Sequence, residues 1–313
     1  MLRSALIAIG GNSLIRAGQR GTALEQLTNA RETSCRIAQL VTDGWRIIIT
    51  HGNGPQVGAA LLRSERASQE VYPQPLDVCV ATTQSEIGYL LQRGMLNALR
   101  SARICTPVMT ILTQVQVSSS DQAFRNPTKP IGPFYSKSVA EERQRSFGWT
   151  MVEDAERGYR RVVASPEPVA VLEQEIIRQV MELGIIVIAL GGGGIPIVIE
   201  EDQTVKGIEA VIDKDRASAL LASGLGIDCL IISTDVEQVY LDYKRPKQRG
   251  LKRATAGQMQ RYLEQGHFPS GSMGPKIESA IRFLQRGGKE VIITSCDHLL
   301  DAIQGKAGTQ ITP

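Results

Sequence analysis

Apolar runs without any two-residue alternation recur along this chain and restrict the folds open to it. They are "WRIIIT" from Trp45, "IIVIAL" from Ile185, "CLIIST" from Cys229 and "EVIITS" from Glu290. A strand that is apolar on both faces has to be covered on both. Leu6 to Ile9 reads as a further strand, and so does "VMTILTQVQV" from Val108 to Val117. Helical spacings lie between these runs: Leu24, Leu27, Ile37, Ala38 and Val41 up to Gly44, which is placed to stop the helix, then Ile87, Leu91, Met95 and Leu99. "IIRQVMEL" and "AIRFLQR" continue the pattern. Strands separated by helices predict an α/β fold whose sheet is mainly parallel, with helices on both faces.

Composition narrows the functional classes. A chain of 313 residues with 42% hydrophobic content can bury a large core, as one α/β domain or two smaller ones. Its formal net charge of +3, from 35 basic and 32 acidic residues, lacks the concentrated positive field of a nucleic-acid binder. Cys35, Cys79, Cys105, Cys229 and Cys296 include no CxxC pair and are odd in number, so they read as reduced core thiols rather than disulfides or zinc ligands. His51, His267 and His298 are too far apart in sequence for a local metal motif. The chain shows no basic leader before a long apolar run and no stretch of ~18 apolar residues, which predicts a soluble cytoplasmic protein with no membrane partner.

One region breaks the rhythm. From about Ser118 to Pro168 the chain is rich in Pro, Arg and aromatics, holding Phe124, Phe134, Tyr135, Phe147, Trp149 and Tyr159. Such an insertion is either a surface excursion with its own small apolar cluster or a lid over a site.

Three glycine-rich turns each follow an apolar strand: "GGNS" at Gly10, "HGNGPQVG" at His51 and "GGGGIP" at Gly191. In an open parallel sheet all three fall beyond the carboxyl ends of their strands, where backbone N–H groups can hold an anion. The chain has neither GxxxxGK[ST] nor a GxGxxG opening a βαβ unit, so a nucleotide would be held by another scheme. Three lysines sit in turn-like contexts at element boundaries: Lys129 in "NPTKPIGPFY", Lys214 in "AVIDKDRAS" and Lys276 in "GSMGPKIES". Phosphoryl transfer between two anions needs positive charge on the moving group and fixed positioning. Asp213 and Asp215 flank Lys214 and read as charge-orienting groups rather than a general-base pair, and Asp77 reads as a helix N-cap.

The ordered set "AIGGNSL", "THGNGPQVG", "NPTKPIGPFY", "EDAERGYRRVVASPEP", "GGGGIP", "AVIDKDRAS" and "GHFPSGSMGPKIE" resembles the carbamate kinases of the amino-acid kinase superfamily, over nearly the whole chain. The resemblance implies a three-layer α/β/α sandwich with a mainly parallel central sheet and a protruding inserted subdomain. Residues 1–117 and 169–204 would form the substrate-binding half, 118–168 the lid and 205–313 the nucleotide-binding half. It also implies interconversion of ATP plus carbamate with ADP plus carbamoyl phosphate, using magnesium held mainly by the nucleotide phosphates, in a homodimer. The expected direction is ATP formation in arginine or purine catabolism. Carried over by position, Lys129, Lys214, Asp215 and Lys276 would be catalytic. Gly10, Gly11, Asn12, Gly52, Asn53, Gly54, Gly193 and Gly194 would hold substrate and phosphate. Asp213, Asp235, Tyr240, Tyr243, Met273 and Pro275 would hold the nucleotide. Two other functions fit the motifs less fully: a kinase for another small carboxylate, and a silent nucleotide-binding regulator.

Overall fold

The computed structural model describes residues 3–16, 18–153, 158–269 and 271–313, with the Asn12 side chain also outside the described part. Eight strands form the central sheet in the order Arg253–Thr255, Thr309–Thr312, Glu290–Thr294, Cys229–Ser233, Ser4–Ile9, Arg46–His51, Ile186–Ile188 and Val108–Thr110. All neighbours are parallel except Glu290–Thr294 against Thr309–Thr312.

Pleating sends alternate residues of each central strand to opposite faces, and both faces are apolar. Leu6, Ala8, Ile48, Leu230 and Ile232 pack into one core, beneath helices Lys214–Leu225 and Met273–Gln285, which contribute Leu221 and Phe283. Ala5, Ile7, Ile9, Ile49 and Ile231 pack into the other, beneath helices Ala23–Thr42 and Leu76–Ser101, which contribute Ile37, Ile87, Leu91 and Met95. The result is the three-layer α/β/α sandwich. Deleting one such fully buried side chain costs about 2–5 kcal/mol, so the apolar runs also fix the strand register.

Local signals set the helix ends. Thr22 and Glu25 form a capping box at Ala23–Thr42, and Gly44 turns the chain away at φ 84°. Asp77 does not cap its helix. Pro75 occupies that position, and Asp77 stands in the first turn, where its charge favours the helix amino terminus without the capping bond.

"VMTILTQVQV" is not one strand. Val108–Thr110 joins the main sheet, while Gln114–Gln116 joins a second, four-stranded sheet. The backbone between them is claimed by a side chain: Thr113 N–H donates to Gln84 Oε1 at 2.6 Å, and the Thr113 hydroxyl accepts Leu190 N–H at 3.1 Å. The cysteines divide as well. Only Cys79 and Cys229 are core thiols, whereas Cys35 and Cys105 are exposed and Cys296 is half-buried; all five are free.

The inserted region builds a three-stranded sheet of Lys129–Tyr135, Tyr159–Val163 and Met151–Glu153, with helix Lys137–Phe147. Trp149, Met151 and Ala140 form its own small core, flanked by Tyr135 and Tyr159. Phe124 instead packs against the main core, so the separate unit is narrower than 118–168. Its attachment is tight. Gly132, at φ 71°, lies against Gly58 of helix Gly54–Arg66, and a Cβ on Gly58 would fall inside the Gly132 backbone. Among the described residues, no helix is long and apolar enough to cross a membrane.

Candidate active site

Four adjacent parallel strands end on one side of the sheet, and a cleft of about 330 Å³ opens beyond their carboxyl ends. Gly10 and Gly11 follow Ser4–Ile9, Gly52 to Gly54 follow Arg46–His51, and Gly192 belongs to the turn after Ile186–Ile188. Ser233 and Thr234 close the fourth strand. The turns are interlocked: Gly52 N–H donates to Ile9 O at 3.0 Å, and a Cβ on Gly52 would meet Gly11 N at 3.2 Å. Gly10 is bare for an internal reason, since a Cβ there would lie 3.1 Å from Ser233 O. Gly11 has room, with only Pro55 Cδ at 3.7 Å. Its missing side chain is therefore unexplained by the protein's own packing.

The third turn differs from the sequence expectation. Gly192 lines the cleft, while Gly193 and Gly194 are buried behind it, against Ile212 O and Val115. All three have positive φ, between 68° and 95°, which only glycine adopts cheaply. Leu190 enters the turn at φ 51°, a conformation that costs a residue with a Cβ on the order of 1 kcal/mol. His51 braces the same region from below. Its Nδ1–H donates to Gly52 O at 3.2 Å, its Nε2 is buried with no hydrogen-bond partner among the described residues, and burial pushes its pKa down to about 4.

Helix Lys214–Leu225 begins at the cleft, capped by Asp213, whose Oδ1 accepts Asp215 N–H at 2.9 Å. Asp213 Oδ2 also accepts Lys129 Nζ at 2.7 Å. One carboxylate thus ties the inserted sheet to a helix start in the main body. Asp215, 3% exposed, takes Lys214 Nζ on one oxygen at 2.5 Å and Lys276 Nζ on the other at 2.8 Å. Burial pushes both carboxyls up, but the lysines outweigh it and hold them below the usual carboxylate range. Burial also lowers Lys214, against the opposing pull of Asp215, whereas Lys276 is buried as well but raised overall by Asp215 and Asp213. Two acidic oxygens therefore hold two ammoniums side by side at the cleft floor. Carboxylates locked this way are poor proton acceptors.

A second cavity of about 700 Å³ adjoins the first and shares Thr234, Asp235 and Ser272 with it. Tyr240, Tyr243, Met273 and Phe268 line it, and the two tyrosine rings lie 5.8 Å apart. The structure thus gathers Lys129, Asp213, Lys214, Asp215, Lys276, Pro275 and the first two glycine turns in one cleft, and Tyr240, Tyr243 and Met273 next door. Asp235 lies on the border between them. Arg160 and Gly192 also line the first cleft and were not picked out from the sequence. The signal for Arg160 was available: in a strand, the adjacent arginines of "YRRVV" face opposite ways. Glu167 and Glu278 hold Arg216 at 3.1 and 2.9 Å, and Glu167 also pairs with Arg282, so helices Lys214–Leu225 and Met273–Gln285 are clamped with their lysines in place. Among the described residues no three His, Cys, Asp or Glu side chains are grouped as a metal site.

Known proteins resemble this chain over nearly its whole length. The model of the Amino acid kinase family matches residues 4–295. The chain is 46% identical to "Carbamate kinase" of Thermococcus kodakarensis over 99% of both chains, and 47% identical to that of Pyrococcus horikoshii over the full length of both. Among solved structures, carbamate kinase from Giardia lamblia bound to AMP-PNP superposes with a TM-score of 0.92 at 38% identity, covering 99% of this chain and 98% of that one. With an identity this high over its whole length, the chain belongs to the amino acid kinase family, in its carbamate kinase branch.

Proposed function

We propose that this protein transfers a phosphoryl group directly between ADP and carbamoyl phosphate, interconverting them with ATP and carbamate. The observation that carries the reading is the cleft that Lys129, Lys214 and Lys276 line together with the Gly10–Gly11 and Gly52–Gly54 turns. A carbamate oxygen attacks the γ-phosphorus of ATP, the bond from phosphorus to the ADP oxygen breaks, and the reverse step forms ATP. Charge spreads over the equatorial oxygens in flight, where preorganised ammoniums and backbone N–H groups act most strongly. Lys129 would approach from the inserted unit, with Lys214 and Lys276 on the opposite side. Carbamate is already anionic, so no base is required. That agrees with Asp213 and Asp215 being engaged by lysines.

The nucleotide's base would occupy the cavity walled by Tyr240, Tyr243 and Met273, as part of a nucleotide-binding half at 205–313. Residues 1–117 and 169–204 would hold the small substrate, under a lid within 118–168. The carboxylates fit a magnesium ion carried in on the nucleotide phosphates, because Asp213 and Asp215 already hold lysines and offer no open cage. Magnesium would supply charge neutralisation on those phosphates. A cytoplasmic homodimer making ATP in arginine or purine catabolism completes the reading.

The test is ATP formation by purified protein from ADP and carbamoyl phosphate, with acetyl phosphate in parallel. Rapid ATP formation from carbamoyl phosphate alone is the expected result. Preference for acetyl phosphate, or no turnover with either, would overturn the proposal.

A further inference from the structure

The tyrosine-lined cavity has two walls that come from different parts of the chain. Tyr240, Tyr243 and Lys244 belong to the hairpin of strands Val239–Leu241 and Arg249–Leu251, and Phe268 and Pro269 to the link between helices Ala256–Glu264 and Met273–Gln285. Asp242 directly precedes Tyr243, and His267 directly precedes Phe268. The two are bonded: His267 Nδ1–H donates to Asp242 Oδ1 at 3.3 Å. We infer that Asp242 and His267 are positioning residues that clasp the two walls around the base end of the nucleotide. The inference rests on the function proposed above and extends it to residues that line neither cavity.

The walls differ in how firmly they are held. Phe268 is buried and packs in a main core, as do Val239, Leu241 and Leu251 at the base of the hairpin. The tip of the hairpin has no such anchor, since Tyr243, Lys244 and Arg245 are exposed. It is also strained, because Asp242 and Lys244 have φ of 49° and 60°, in the left-handed region that disfavours a residue with a Cβ. Such a turn persists only where contacts over-determine it. Arg245 N–H donates to Asp242 O at 2.9 Å and Lys244 N–H to Gln248 Oε1 at 2.8 Å, which closes the turn on itself. His267 adds the contact that reaches across to the other wall. It is itself fixed, with its backbone N–H on Tyr262 O at 3.2 Å and its ring edge-on to Tyr262, 5.8 Å between centres. Arg245 Nη1 stands 3.7 Å from the same Asp242 oxygen. A carboxylate shared in this way sets the gap between Tyr243 and Phe268, the gap that a flat base would have to fit.

His267→Phe tests this in the ATP-forming direction, with KM measured separately for ADP and carbamoyl phosphate. Phe keeps a ring against Tyr262 and removes the donor. It is expected to raise KM for ADP about 3- to 10-fold, the range for one half-buried hydrogen bond, while KM for carbamoyl phosphate moves less than about twofold. His267→Asn, whose amide N–H can stand where Nδ1–H does, should recover most of that loss. Asp242→Asn keeps the shape and tolerates the left-handed backbone but weakens the acceptor; it should raise KM for ADP about two- to threefold, and the double variant His267→Phe with Asp242→Asn no further than His267→Phe alone. An unchanged KM for ADP, an equal rise for both substrates, or additive effects in the double variant would overturn the inference. If His267→Phe fails to fold, Asp242→Asn carries the same KM comparison. If the wild-type protein makes no ATP, the proposed function falls, and the clasp is then tested with ADP alone by equilibrium dialysis. Binding about 3- to 10-fold weaker in His267→Phe than in wild type would uphold it, and equal binding, or none in wild type, would refute it.

Discussion

Replacing Asp215 with Asn removes one charge and almost no volume. Asp215 is 3% exposed and is the shared partner of two ammoniums. In Asp215→Asn the amide oxygen can still accept from one lysine, but both cations lose their nearest opposite charge, leaving Asp213 to offset them. Breaking a buried pair by removing one partner costs about 3–5 kcal/mol, which for a chain of this size lowers Tm by about 5–10 °C. The loss has a pH signature. Lys214 already sits below its ordinary value because burial outweighs Asp215, and without Asp215 it falls further. A lysine with a depressed folded pKa binds fewer protons than the unfolded chain, so its penalty is largest at neutral pH and fades as pH rises toward the unfolded value near 10.5. The Tm difference between wild type and variant should therefore narrow between pH 7 and pH 10. Turnover should fall on the order of 10²- to 10³-fold, since two preorganised donors lose their fixed positions. Thermal melts across pH, with ATP formation titrated against magnesium, measure both effects. A Tm gap that stays constant with pH would refute the electrostatic account. Recovery of the variant at high magnesium would make Asp215 a metal ligand and remove its lysine-holding role.

Three further outcomes follow from the geometry. Lys129→Ala should lower kcat about 10²-fold or more with little change in nucleotide affinity, because Lys129 lies at the inserted unit and away from the tyrosine-lined cavity; steady-state kinetics with both substrates checks this. Gly11→Val should fold with a Tm close to wild type but bind carbamoyl phosphate poorly, since the protein leaves room for a Cβ there and the branched side chain would stand where the phosphoryl group is proposed to lie. His51, neutral in the fold with a pKa of about 4 against about 6.5 unfolded, contributes stability that is fully present above pH 6.5 and is lost as pH falls toward 4, by about 3 kcal/mol. Urea midpoints between pH 4 and 7 should show this acid slope in wild type and a flatter one in His51→Asn.

The sheet was legible because its strands announce burial on both faces: Ile47 to Ile49 and Ile231 to Ile232 have no polar alternate, so only a covered strand fits them. The cleft was half legible. Glycines placed directly after such strands mark it, and lysines at helix starts point into it. What could not be read was anything decided across the fold. The split of Val108 to Val117 depends on Gln84, 29 residues from Thr113, reaching a backbone N–H. The choice of Gly192 over Gly193 and Gly194 depends on how a left-handed turn folds over Ile212 and Val115. Asp213 is a cap by local rule, but its bond to Lys129 spans 84 residues and depends on where the inserted sheet docks. Motif resemblance supplied Lys129 in advance without supplying that bond.

The contact of Gly58 with Gly132 brings two backbones together with no side chain between them. Lys129 and Arg160 both belong to the sheet resting on that contact, so their reach into the cleft is set by peptide units that cannot be trimmed or lengthened in small increments. Side-chain packing usually gives a fold graded tolerance, in which a methyl group more or less shifts a neighbour by a fraction of an ångström. Here that gradation is missing, because the smallest possible addition at Gly58 already overlaps the facing chain. Variation at this joint would act as a switch between a seated and an unseated sheet, displacing both cations from the cleft together.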